Sequence, residues 1–165
     1  MPKIGDIFEI PLKNEKKAYG QFVFNDIEQG PLIQVFDLIV KNGVQLEIQD
    51  IDINTAHHLF PPVITGLTAA TRSNLWRIIG NLPVKKFVYP KFVSAYYDEK
   101  TGEAYRWFVW DGQEYIRLGE KLPKKYKMLE YLVVWSPYDI AERIETGKYP
   151  YPYGDLIARN KFTPR

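Results

Sequence analysis

From Gly5 onward the chain reads as an extended segment: Ile7 and Pro11 fall on one side, Phe8, Ile10 and Leu12 on the other. Apolar groups on both faces predict a strand over 7–12 that is covered on each side. Tyr19 to Phe24 is a matching run, and the polar Lys13-Asn14-Glu15-Lys16 between them is short enough to close a hairpin. Leu32 to Val40 is a third, longer strand, followed by Asn42-Gly43, a dipeptide suited to two-residue turns. Val44, Leu46 and Ile48 then alternate, so a return strand is expected, and Ile51 and Ile53 continue the period across 50–54.

Phe60-Pro61-Pro62 forbids a regular helix across the pair, so a connection runs between 56 and 73, as a long loop or with a short helix. Ser73 to Gly80 favours a strand over a short helix, because Trp76, Ile78 and Ile79 cluster before a Gly-Asn turn. A meander follows: 92–97 and 104–110 flank Asp98–Gly102, and Asp111-Gly112 turns the chain into 114–118. Leu129 to Trp135 is apolar enough for a central strand. Ser136, Pro137 and Asp139 carry the signature of a helix start, Ile140, Ala141 and Ile144 supply an apolar stripe, and Gly147 stops it. Beyond it, 149–154 reads as an extended Pro-aromatic strap and 155–160 as one further helical turn. The expected fold is mostly β (a β-rich α+β class), with antiparallel strands forming a barrel-like or sandwich core and one C-terminal helix at about 137–146. At 165 residues a single domain over 1–165 is expected.

Composition sharpens this picture in three ways. The 12 tyrosines, 9 phenylalanines and 4 tryptophans favour strands. Cysteine is absent, which removes disulfides, thiolate catalysis and cysteine-ligated zinc. Charge is uneven: residues 18–71 hold six carboxylates against one lysine, while 72–165 hold 17 basic and 11 acidic side chains. The first residues lack an apolar signal core and no uncharged stretch suits a membrane helix, so a cytoplasmic protein with no membrane partner is expected.

Candidate chemistry is sparse. His57 and His58 are the only histidines, and adjacent side chains diverge on a strand or a helix, so they read as loop residues and not as a chelating pair. No nucleophile elbow, metalloprotease helix, phosphate loop or dinucleotide fingerprint occurs. Asp50 and Asp52 on one strand face would be the nearest thing to a carboxylate pair. No catalytic residue, metal ligand or cofactor is assigned. Lys121, Lys124, Lys125 and Lys127 beside Tyr126, with Arg106, Trp107 and Trp110 on the meander, suit a nucleic-acid-binding barrel. A net charge of +2 disfavours that reading.

Gly5–Leu12, Ala18-Tyr19-Gly20-Gln21 and Gly30–Asp37 resemble the bacterial immunity protein 26 family, as do Leu59–Ile64 and Leu75–Gly80. Its members are encoded beside polymorphic toxins. The resemblance implies a mostly β fold and stoichiometric inhibition of a cognate protein toxin, with no enzymatic activity. Some relatives carry a phosphotriesterase label, and the alternative is a small phosphoester or phosphotriester hydrolase with a divalent metal near His57 or His58. Against a basic nuclease toxin the natural contact is the acidic group Asp26, Glu28, Asp37, Glu47, Asp50 and Asp52, acting as a phosphate mimic.

Overall fold

The computed structural model describes residues 1–54 and 57–150, and places them in two compact units. Unit 1 holds Met1–Phe87 and Val134–Lys148; unit 2 holds Val88–Val133 and is rejoined by the chain at Tyr149. No helix among the described residues is long and apolar enough to cross a membrane.

In unit 1, β1 (Asp6–Leu12) and β2 (Lys16–Asp26) form the expected hairpin, in register Leu12↔Lys16 to Ile7↔Gln21. Its turn places Asn14 and Glu15 at φ 59° and 55°, the left-handed pair that matches strand twist. Asp26 closes the next turn: its carboxylate accepts the backbone N–H groups of Glu28 (2.8 Å) and Gln29 (2.9 Å), leading into β3 (Gly30–Lys41). The six-stranded sheet is completed by β4 (Val63–Thr65) and β5 (Arg77–Asn81), with a two-residue strand, Val134–Trp135, laid parallel on β4. Both faces are covered, as the two-sided apolar pattern predicts. Ile7, Phe8 and Ile10 are all fully buried. Phe8 stacks on Trp76, centroids 4.9 Å apart and planes 4° from parallel, while Ile7 joins Tyr19, Phe36 and Ile51 in a separate cluster.

The expected return strand after Asn42-Gly43 does not form. Val44 to Glu47 is irregular and α1 (Ile48–Asn54) follows. A short apolar alternation also fits helical spacing. Ile48 and Ile51 are three apart, and both pack on the Tyr19–Phe36 cluster. The carboxylate of Asp50 accepts the Glu47 N–H at 3.0 Å, closing the helix start. The expected strand over 73–80 shortens to β5, because α2 (Leu67–Arg72) precedes it and Trp76 is spent on the Phe8 stack. The single central strand expected over 129–135 becomes two sheet-edge pieces, Glu130–Tyr131 in unit 2 and Val134–Trp135 in unit 1, since the chain changes units between them.

The helix α3 (Pro137–Thr146) follows its sequence signals. Ser136 Oγ accepts the Asp139 N–H at 3.1 Å, and Gly147 takes the left-handed C-cap conformation at φ 69°. Ile140 and Ile144 are buried, and so is Arg143, whose guanidinium lies 4.2 Å over the Phe60 ring and 5.1 Å from that of Trp135.

Unit 2 contains the meander β6 (Phe92–Tyr97), β7 (Ala104–Trp110) and β8 (Tyr115–Gly119), with β9 (Glu130–Tyr131) parallel to β6. Asp98 and Asp111 each accept two backbone N–H groups to close the two turns. Val93, Trp107, Val109, Leu122 and Tyr131 form its core. Neither sheet closes into a barrel among the described residues. The readings of a strap and a further helical turn fall largely on 151–165, outside the described residues.

Candidate functional site

A cleft of about 190 Å³ opens on unit 1, where the row Ile7↔Gln21↔Gln34 crosses the sheet. Gln21 donates from its side-chain amide to Leu82 O at 2.8 Å, and Gln34, only 4% exposed, lines the floor beside it. Asp52 and Lys85 stand on the rim as an ion pair at 2.7 Å, with Lys86 and His58 nearby. His58 is bridged to Phe36 through the backbone, with the two rings 5.6 Å apart. Partial burial, and secondarily the charge of His57, lower its pKa from the usual histidine value. The volume suits one side chain of a partner better than a metabolite. Among the described residues no three His, Cys, Asp or Glu side chains gather where they could hold a metal ion.

The structure distributes the six acidic candidates over three places. Asp26 is 4% exposed and spends its carboxylate on the β2–β3 turn, while Glu28 on the same turn is exposed. Asp37 is exposed on β3, its backbone N–H donating to His57 O. Glu47, Asp50 and Asp52 come together on α1 and its start, all exposed. Asp50 and Asp52 do not share a strand face: on a helix they diverge by about 200°. Asp50 braces the helix start, and Asp52 turns to the cleft rim.

Sequence reasoning missed a charged triad on the sheet. Glu9 receives Lys17 Nζ at 2.8 Å and Arg77 Nη2 at 3.0 Å, beside the fully buried Tyr19. Burial raises the Glu9 pKa, but the hydrogen bonds and charges of Lys17 and Arg77 together outweigh it and hold the carboxyl below 4.5. The bond to Glu9 in turn raises Lys17 above 10.5. Register is the only signal that joins the three (Glu9↔Arg77 directly on one side, and Glu9↔Tyr19 with Pro11↔Lys17 setting Lys17 diagonal to Glu9 on the other), and pairing is invisible in a linear chain.

The nucleic-acid reading loses its stacking platform. Trp107 and Trp110 are 1% and 2% exposed, the first in the unit 2 core and the second donating from its indole N–H to Tyr89 Oη at 2.9 Å. The lysines at 121, 124, 125 and 127 are exposed around Tyr126, which packs on that core.

In comparison with known proteins, a family model described as immunity protein 26 matches residues 3–100. No curated protein and no solved structure matches the chain.

Proposed function

We propose, because this chain belongs to the immunity protein 26 family, that it binds one cognate bacterial toxin in the cytoplasm and neutralises it by occupying its surface, without catalysis or cofactor. The family match over 3–100 is the observation that carries this reading. That matched segment runs across the boundary between the two units at Phe87/Val88, which supports treating 1–165 as one immunity domain.

The exposed carboxylates Glu28, Asp37, Glu47, Asp50 and Asp52 supply the contact for a basic toxin surface, with Asp26 holding the turn that presents Glu28. Complementary charge of this kind raises the rate of encounter more than it slows release. The exposed Asp52–Lys85 pair holds the carboxylate only weakly, so a toxin cation can exchange for Lys85. The test uses the C-terminal domain of the toxin encoded beside this chain. Wild-type protein should bind it one to one and abolish its activity. Changing Glu47, Asp50 and Asp52 together to lysine should slow association about tenfold at low salt, with the difference shrinking as salt rises. Toxin that stays active in the wild-type mixture would sink the immunity reading; an unchanged association rate in the triple variant would remove the acidic contact alone.

A further inference from the structure

The meander of unit 2 carries an aromatic face that its own core does not use. Cross-strand partners point to the same side of a sheet, and the rows Phe92↔Trp110↔Tyr115 and Ser94↔Phe108↔Arg117 lie opposite the core residues Val93 and Val109. At one end of this face Tyr89 roofs Phe92 and Trp110, which are 1% and 2% exposed. Further along the face Tyr96 and Tyr105 are 59% and 37% exposed, and Tyr115, in the same row as Trp110, is 50% exposed. Phe108 ties them together, its ring 6.4 Å from Tyr96 and 5.4 Å from Tyr115.

Arg106, beside Tyr105, takes a backbone conformation that arginine avoids. Between the pairs Ser94↔Phe108 and Tyr96↔Tyr105, β7 holds one residue more than β6, which is a β-bulge. Within it Arg106 has φ 52°, the left-handed region where glycine sits freely and a residue with a Cβ and a long side chain is uncommon. The side chain is exposed, with its guanidinium 5.8 Å from the Tyr105 ring centroid. Arg117 is exposed on the neighbouring strand, and neither arginine forms an ion pair among the described residues. Strained backbone that persists at an exposed residue points to a role outside the core.

We infer that this face is a second toxin contact, in which Arg106 and Arg117 receive carboxylates of an acidic segment while the open tyrosines pack on its apolar rim. The inference rests on the immunity reading above. Tyrosine and arginine are the residues that dominate binding energy at protein interfaces, because they bury large rigid area around a desolvated charge. Two guanidiniums that form no ion pair among the described residues lie on one face and set the sign of what they recognise. Tyrosine and arginine also stack on bases, but unit 2 from Val88 to Val133 holds eight basic and seven acidic side chains, too little charge for a phosphate backbone.

The experiment measures dissociation of the toxin's C-terminal domain from wild-type protein and from Arg106→Gly, Tyr105→Ala and Arg117→Ala, with a thermal melt of each. Arg106→Gly is the informative variant. Relief of the left-handed strain should leave its melting temperature equal or higher, while toxin leaves at least tenfold faster. Tyr105→Ala and Arg117→Ala should each release toxin at least tenfold faster with near-normal melts. Unchanged dissociation in all three, with wild type still binding, overturns this contact and leaves the immunity reading standing. No toxin binding by wild type overturns both. Tight binding of a fluorescent 20-nucleotide oligouridine that Tyr105→Ala abolishes assigns the face to nucleic acid and overturns the inference. An Arg106→Gly variant that melts well below wild type shows a structural role for the arginine and also overturns it.

Discussion

Replacing Gly20 by alanine sets two physical effects of opposite sign against each other. Glycine inside a strand loses more chain entropy on folding than alanine does, so entropy alone predicts a gain of about 0.5–1 kcal/mol for Gly20→Ala. The packing predicts the reverse. A Cβ on Gly20 would lie 2.6 Å and 2.7 Å from Cε2 and Cζ of Phe8, and 3.2 Å from the Gln34 carbonyl oxygen. Phe8 is fully buried and its ring face is covered by the parallel ring of Trp76, so it has little room to retreat. Forcing one methyl into a filled core costs about 1–3 kcal/mol. With a carbonyl as one of the fixed neighbours, the upper half of that range applies, for a net loss of about 2 kcal/mol after the entropy gain. At about 2–4 °C per kcal/mol for a chain of this size, the melting temperature should fall by about 4–8 °C. Urea denaturation of wild type, Gly20→Ala, Phe8→Leu and the double variant closes the cycle. In the Phe8→Leu background the alanine should cost at least 1 kcal/mol less, since the ring edge it strikes is gone. A Gly20→Ala protein as stable as wild type, or more so, would refute the reasoning, and with it the tight Phe8–Gly20 register of the first hairpin.

The remaining predictions concern charge and capping. Glu9 titrates lower in the folded chain than unfolded, so its contribution is present above about pH 4.5 and lost as pH falls through the folded value; Lys17 titrates higher, so its share is present below about pH 10.5 and lost as pH rises through the folded value. Glu9→Gln should therefore flatten both limbs of a urea-midpoint profile across pH, and a profile parallel to wild type would contradict the triad. Asp26→Ala leaves two backbone N–H groups without that carboxylate and should cost about 1–2 kcal/mol in urea, while changing toxin association far less than the triple change on α1. Arg143→Ala removes a buried guanidinium from the Phe60 and Trp135 rings and should cost about 2 kcal/mol, with Arg143→Lys recovering less than half because ammonium does not stack; full recovery by lysine would show that charge alone matters.

Taken by itself, the chain determined whatever depends on neighbours in sequence. The turn after Leu12, the Asp98 and Asp111 turns, and the helix from Ser136 to Gly147 each rest on residues within five positions of one another. Backbone preference and local hydrogen bonds decide such features before any long-range contact forms. The two-sided burial of β1 was legible for the same reason. Tertiary structure decided the rest. Val44–Ile48 carries a strand's alternation, yet 48–54 is a helix because Ile48 and Ile51 can reach the Tyr19–Phe36 cluster only at helical spacing. Leu129–Trp135 is one apolar run shared between two sheets, and only the partners β6 and β4 determine where it divides. The acidic candidates were visible as a count of charges, but which point outward, which brace a turn and which meets Lys85 depends on that folding. The Arg106 bulge and the Glu9 triad arise from strand register, a relation between residues far apart in the chain that no window of sequence contains.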